Sequence, residues 1–220
     1  VILKQGRKGL LADRSGHDMR DRLRHQQRMH GLAARLGIAP ECQPCFDWGE
    51  DRFLPIEFQP NDNFELAIQR QLGGRGIDGL APTERDRLQL VLARIARQLA
   101  ELHRIGIVHR DVSPSNILLD SQGQPYLADF GLAAVMDREG QAQNPGSGTL
   151  LYMAPEQVTS DVLDHRADVY SFCILLFHIF TGTLPFDGTM PLALQQLQMA
   201  EEMPDISAVQ YGLPYALTEL

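Results

Sequence analysis

The chain has 220 residues, 44% hydrophobic and 22% charged, the composition of a soluble globular protein able to bury one substantial core. Its net charge of -8 argues against a general nucleic-acid binder, whose affinity would rest on Lys and Arg clustered against phosphates. The longest apolar run, residues 173–180, is interrupted by His178 and far too short to span a bilayer, so a cytoplasmic location with no membrane segment in this chain is expected.

In chain order, Val1-Ile2-Leu3-Lys4 reads as the end of a strand. After a polar, Gly-containing stretch, Met19, Leu23, Met29, Leu32 and Leu36 recur mostly at three- and four-residue steps and predict a helix over residues 18–36. Its basic residues, with Asp18 and Asp21 beside them, fit a solvated face. Cys42-Gln-Pro-Cys45 is a lone C-x-x-C with no second pair to complete a zinc site and no βαβ context, so a structural or incidental role is expected. Residues 45–48 and 52–58 predict paired strands around the turn Gly49-Glu50-Asp51.

Gly74-Arg-Gly76-Ile-Asp-Gly79 matches G-x-G-x-x-G, but a dinucleotide fingerprint follows a strand and opens a helix. Here the helical pattern of residues 64–72 precedes it and Ala81-Pro82 follows, which predicts a flexible connection between helices. A long helix is predicted over residues 83–104, with Thr83 as N-cap and Leu88, Val91, Leu92, Ile95, Leu99 and Leu102 on one face. Residues 116–119 and 126–128 read as short strands about the turn at 120–123. Residues 168–181 read as an apolar helix broken by Gly182, Pro185 and Gly188, and the remainder is helical in pattern.

Three motifs stand in fixed order: His109-Arg110-Asp111-Val112-Ser113-Pro114-Ser115-Asn116, then Asp129-Phe130-Gly131, then Ala154-Pro155-Glu156. Together they supply what phosphoryl transfer needs, which is mostly positioning and charge neutralisation. Asp111 suits a catalytic base that accepts or orients the proton of an attacking hydroxyl, while Asn116 and Asp129 offer hard oxygen ligands for Mg2+. Asp168, an acid within an apolar helix, needs buried partners.

These motifs, and in order nearly the whole chain, resemble the protein kinase superfamily, most strongly over residues 99–186, and in particular a Ser/Thr protein kinase catalytic domain of bacterial type. The resemblance implies an α+β, two-lobed fold: a small β-rich N-lobe over residues 1–58, a hinge at 59–63 and a mainly helical C-lobe over 64–220. It places the glycine-rich loop and its strands ahead of Val1, and the helices bearing the arginine partner of Glu156 beyond Leu220. It implies ATP and Mg2+ as cofactors, a protein with a Ser or Thr hydroxyl as substrate, no nucleic acid, and appended domains outside this chain. By the same resemblance Lys4 holds the α- and β-phosphates, and Ile56 is the gatekeeper. Glu57, Phe58 and Gln59 offer backbone hydrogen bonds to adenine, Asn63 lies near the ribose and Leu118 forms the adenine floor. Asp168 braces the catalytic-loop backbone, and Ser147 and Thr149 belong to the activation and substrate segment.

The sequence departs from that family at several places. Ser113 replaces the lysine that steadies the γ-phosphate; a hydroxyl can hydrogen-bond phosphate but neutralises nothing. No acidic residue lies between Asp21 and Pro40 to pair with Lys4, and His25 and Gln26 are the best-placed candidates, with Gln26 able to hydrogen-bond Lys4. Pro145 takes the usual phosphothreonine spacing, which leaves Ser147 for control through Arg110. These departures keep two alternatives in view: a pseudokinase or signalling scaffold that binds nucleotide weakly, and a kinase acting on a small molecule or modified peptide. Residues 1–220 alone are expected to be poorly active.

Overall fold

The computed structural model describes residues 1–9, 18–61, 63–143, 149–160 and 162–186. The chain opens on strand β1 (Ile2–Gly6) and continues into helix α1 (Met19–Arg35). The Asp18 carboxylate accepts the Arg20 and Asp21 N–H groups at 2.9 and 3.1 Å, which satisfies donors that a helix start leaves unpaired. The face of α1 that buries Leu23, Met29 and Ala33 also buries Gln26 and His30. Strands β2 (Phe46–Trp48) and β3 (Asp51–Ile56) complete an antiparallel sheet of order β1-β3-β2. Trp48 pairs with Asp51, so only Gly49 and Glu50 form the turn, with Gly49 at φ 63. The strand expected to reach residue 58 stops at Ile56, because the Glu57 N–H turns out of the sheet to the Glu41 carbonyl at 2.8 Å.

Helix α2 (Phe64–Leu72) starts at Asn63, whose side-chain oxygen accepts the Leu66 N–H at 3.1 Å, and ends at the left-handed Gly73. A tight helical turn (Gly76–Gly79) leads to α3 (Pro82–Arg104). Thr83 is not its cap. Pro82 takes the first turn, where a missing N–H is harmless, and Glu84 reaches back to the Ala81 N–H at 2.9 Å. Nor is the Gly74–Gly79 segment a loose connection. A Cβ on Gly76 would collide with the Phe180 carbonyl, so the glycine lets this backbone pack directly against the end of the helix that contains Phe180.

Short strands β4 (Ile107–Val108), β5 (Ile117–Leu119), β6 (Pro125–Leu127), β7 (Ala134–Val135) and β8 (Ala142–Gln143) follow. They precede α4 (Glu156–Thr159), β9 (Val162–Leu163) and α5 (Arg166–Thr181). The pairings β4–β7, β5–β6 and β8–β9 are all antiparallel. One hydrophobic cluster joins Met29 and Ala33 of α1 to the inner faces of α2, α3 and α5, with Phe130 fully buried within it. A smaller cluster of Leu23, Leu54 and Ile56 fastens α1 under the sheet. The result is an α+β fold of small antiparallel sheets and helices. No helix among the described residues is long and apolar enough to cross a membrane. The helical pattern expected beyond Gly188 lies outside the described residues.

Candidate active site

The loop between β4 and β5 is held from below by α5. Asp168, 0% exposed, accepts the His109 N–H at 2.8 Å and the His103 Nε2–H at 2.7 Å on one oxygen, and the Arg110 N–H at 2.7 Å on the other. Those bonds bend the chain sharply, and Arg110 adopts a left-handed backbone at φ 66. His109 accepts the Asp111 N–H at 3.3 Å, donates to the Ala128 carbonyl at 3.0 Å, and stands edge-on to Phe130 at 4.8 Å. Arg110 donates its Nε–H to the Leu132 carbonyl, and its own carbonyl accepts from Gln157 at 2.9 Å. Burial pulls the Arg110 guanidinium down to about 10, against the opposing pull of Asp168.

Asp111 leaves this anchored loop with one side-chain oxygen engaged. Its Oδ1 accepts both the N–H and the hydroxyl of Thr149, each at 2.7 Å, while Oδ2 takes no hydrogen bond among the described residues. The Asp111 carbonyl accepts the Asn116 amide at 2.9 Å, which fixes that amide, and its oxygen takes no hydrogen bond among the described residues. Ser113 is buried, 3.0 Å from the Ser115 hydroxyl and 3.5 Å from that of Thr149. The structure therefore brings Asp111, Ser113, Asn116 and Thr149 into one hydrogen-bonded group.

Lys4, opposite Leu54 in the sheet, reaches Asp129 with 2.8 Å between Nζ and Oδ2. Asp129 has a left-handed backbone at φ 58, and its Oδ1 accepts the Gly131 N–H at 3.3 Å. Burial would raise the Asp129 carboxyl, but Lys4 and the Gly131 N–H outweigh it and hold the group below the usual carboxylate range. The expected hydrogen bond from Gln26 to Lys4 is absent. The Lys4 ammonium takes the Asp129 carboxylate, a stronger acceptor than the Gln26 amide oxygen, and the Gln26 Nε2, in a side chain 3% exposed, has no partner among the described residues. His25 donates to the Ala133 carbonyl at 2.5 Å, and buried His30 donates to the Pro40 carbonyl at 2.7 Å with its ring edge-on to Phe130 at 5.4 Å.

On the expected nucleotide side, Ile56 is buried and Phe58 exposed. The Glu57 N–H is already bonded to Glu41, whereas the Gln59 backbone N–H and carbonyl have no partner among the described residues. Asn63 caps α2 and forms a β-bridge with Leu118, which brings these two together. Glu156 opens α4 without an ion pair among the described residues; Ser147 and Pro145 lie outside them. Cys42 and Cys45 pack against Leu23, Leu54 and Ile56, and burial raises both thiols, away from the reactive thiolate.

A divalent cation would find the Asp129 carboxylate and the Asn116 amide oxygen, which takes no hydrogen bond among the described residues. Two hard oxygens suit Mg2+, which keeps several waters and takes substrate phosphates as further ligands. Among the described residues no group of three or more acidic, His or Cys side chains could cage a metal. His103, Gln157 and His30 carry no motif that marks them as site residues, and His25, a candidate to face Lys4, instead bonds the Ala133 carbonyl. Only the position of Gln157, directly after Ala154-Pro155-Glu156, hinted at a role.

A family model described as "Protein kinase domain" matches residues 45–216. The chain is 40% identical over 180 residues to the serine/threonine-protein kinase PknL of Mycobacterium tuberculosis, covering 80% of this chain and 43% of that protein. It is 30% identical over 201 residues to the serine/threonine-protein kinase PknH of Mycobacterium bovis, covering 90% and 32%. It is 38% identical over 155 residues to a protein kinase and PP2C-like domain-containing protein of Arabidopsis thaliana, covering 61% and 24%. The chain spans less than half the length of these relatives.

Proposed function

Because the chain belongs to the protein kinase domain family, we propose that it transfers the γ-phosphoryl group of Mg-ATP to a Ser or Thr hydroxyl of a protein. In this reading residues 1–58 form the N-lobe, 59–63 the hinge and the residues from 64 onward the C-lobe. The Gln59 backbone takes the adenine edge, with Ile56 as gatekeeper and Leu118 as the adenine floor, and Asn63 lies near the ribose. Lys4 holds the α- and β-phosphates, and Asn116 and Asp129 hold Mg2+. When bound, the metal neutralises charge on the phosphate oxygens. Asp111 Oδ2 accepts or orients the proton of the attacking hydroxyl as the new O–P bond forms and the bond to ADP breaks. Thr149 holds the other Asp111 oxygen, so the base is aimed by the segment that receives the substrate.

The observation that carries this reading is the state of Asp111: its carboxylate is gripped through Oδ1 by Thr149, its carbonyl by Asn116, and its Oδ2 takes no hydrogen bond among the described residues. The orphaned Gln26 amide favours a second reading, a scaffold that binds nucleotide without turnover. Labelled phosphate from γ-labelled ATP is followed in the full-length protein with Mg2+ and a general protein substrate. Phosphoserine or phosphothreonine in the substrate is expected. Mg-dependent ATP binding with no transfer would replace the proposal by the scaffold.

A further inference from the structure

Away from the catalytic loop, α2, α3 and the β5–β6 hairpin enclose a cleft of about 750 Å³. Its floor is apolar, formed by Phe64, Val91 and Leu119, and Leu90 stands at its rim 71% exposed. Along one wall Arg87, Arg94 and Arg97 are exposed on α3, and none of them has an ion pair or hydrogen bond among the described residues. The one acid in the lining, Glu84, is engaged with the Ala81 N–H at 2.9 Å. In a chain of net charge -8, three unpaired arginines beside an apolar trough are a local reversal of sign.

We propose that this cleft is a docking groove for an extended acidic segment of a protein substrate, with apolar side chains on the floor and carboxylates on the arginines. Guanidinium groups bind carboxylates in bidentate fashion, and ten residues of helix separate Arg87 from Arg97, a rise of about 15 Å. An extended peptide covers that span in about four to five residues, so one short acidic stretch reaches the whole wall. A concave site closed by a hairpin suits a peptide rather than a flat bilayer. The groove also begins where the nucleotide side ends, since Phe64 and Leu119 directly follow the bridged pair Asn63 and Leu118. A segment held there raises the effective concentration of its own hydroxyl at Asp111. That consequence rests on the kinase reading; the binding does not.

The test uses the full-length protein and two labelled peptides, one with Glu residues flanking Leu anchors and one with Lys in place of Glu. The acidic peptide is expected to bind, more weakly as salt rises, and R94E/R97E should weaken it by about tenfold while gaining the Lys peptide. Turnover of a short substrate lacking the acidic stretch should be unchanged. For a substrate carrying the stretch, KM should rise with kcat kept. Equal acidic-peptide binding by wild type and R94E/R97E would overturn the proposal. So would no peptide binding alongside arginine-dependent capture by phosphatidylserine vesicles. Peptide binding without phosphate transfer would sink the kinase reading and leave the groove standing.

Discussion

Gln26 sits on the buried face of α1 with its amide nitrogen unpartnered while Lys4 turns to Asp129, the carboxylate proposed to hold Mg2+. Metal must therefore compete with an ammonium. A carboxylate at position 26 would give Lys4 a second partner and free Asp129, so Gln26→Glu should raise kcat/KM for ATP about three- to tenfold. Steady-state kinetics over an ATP series checks this, and an unchanged or lower value would remove Gln26 from the account. His30 carries a separate prediction. Burial lowers its pKa from the ordinary 6.5, so the native state favours the neutral ring. The unfolded chain then binds the extra proton first, and this contribution is full above about pH 6.5 and lost as pH falls toward the lower native value. Urea unfolding across that window should show His30→Gln losing less stability in acid than wild type, with His178, also lowered by burial, contributing equally to both. Asp111, Asn116 and Asp129 could be proposed from the sequence because phosphoryl transfer would dictate their residue types and order. His30 and His103 were not, since their partners, the Pro40 carbonyl and the Asp168 carboxylate, come near only through tertiary folding.

At the scale of elements, α5 acts as a bracket for the loop that carries His109 and Asp111 through one side chain. Asp168→Ala would leave the His109 and Arg110 N–H groups buried without acceptors, and a loss of about 3–5 kcal/mol in denaturant unfolding is expected. A loss below about 1 kcal/mol would mean that the loop holds its shape without this bracket. Helix limits were readable wherever apolar residues recur at helical spacing, as from Leu88 to Leu102, because periodicity reports the buried face directly. The cap was not, because Pro82 fits the first turn and moved the start ahead of Thr83. The Gly74–Gly79 segment misled for a related reason. Its glycines signal close backbone approach as readily as freedom, and only the path of α5 decides between them.

For the whole molecule, the β-sheet and the helical part meet at the Lys4–Asp129 pair and through α1, which contributes to both hydrophobic clusters. A nucleotide bridging Lys4, Asn116 and Asp129 would tie the same parts together. At a hundredfold excess over its Kd, Mg-ATP should stabilise the fold by about 2.7 kcal/mol, and Asp129→Asn should remove the Mg2+-dependent part of that gain. Thermal unfolding with and without Mg2+ measures it. The most direct test of the central claim is γ-phosphoryl transfer by Asp111→Asn in the full-length protein, read beside its ATP affinity. The account predicts ATP binding close to that of wild type and turnover lower by about a thousandfold. Transfer at the wild-type rate would contradict it.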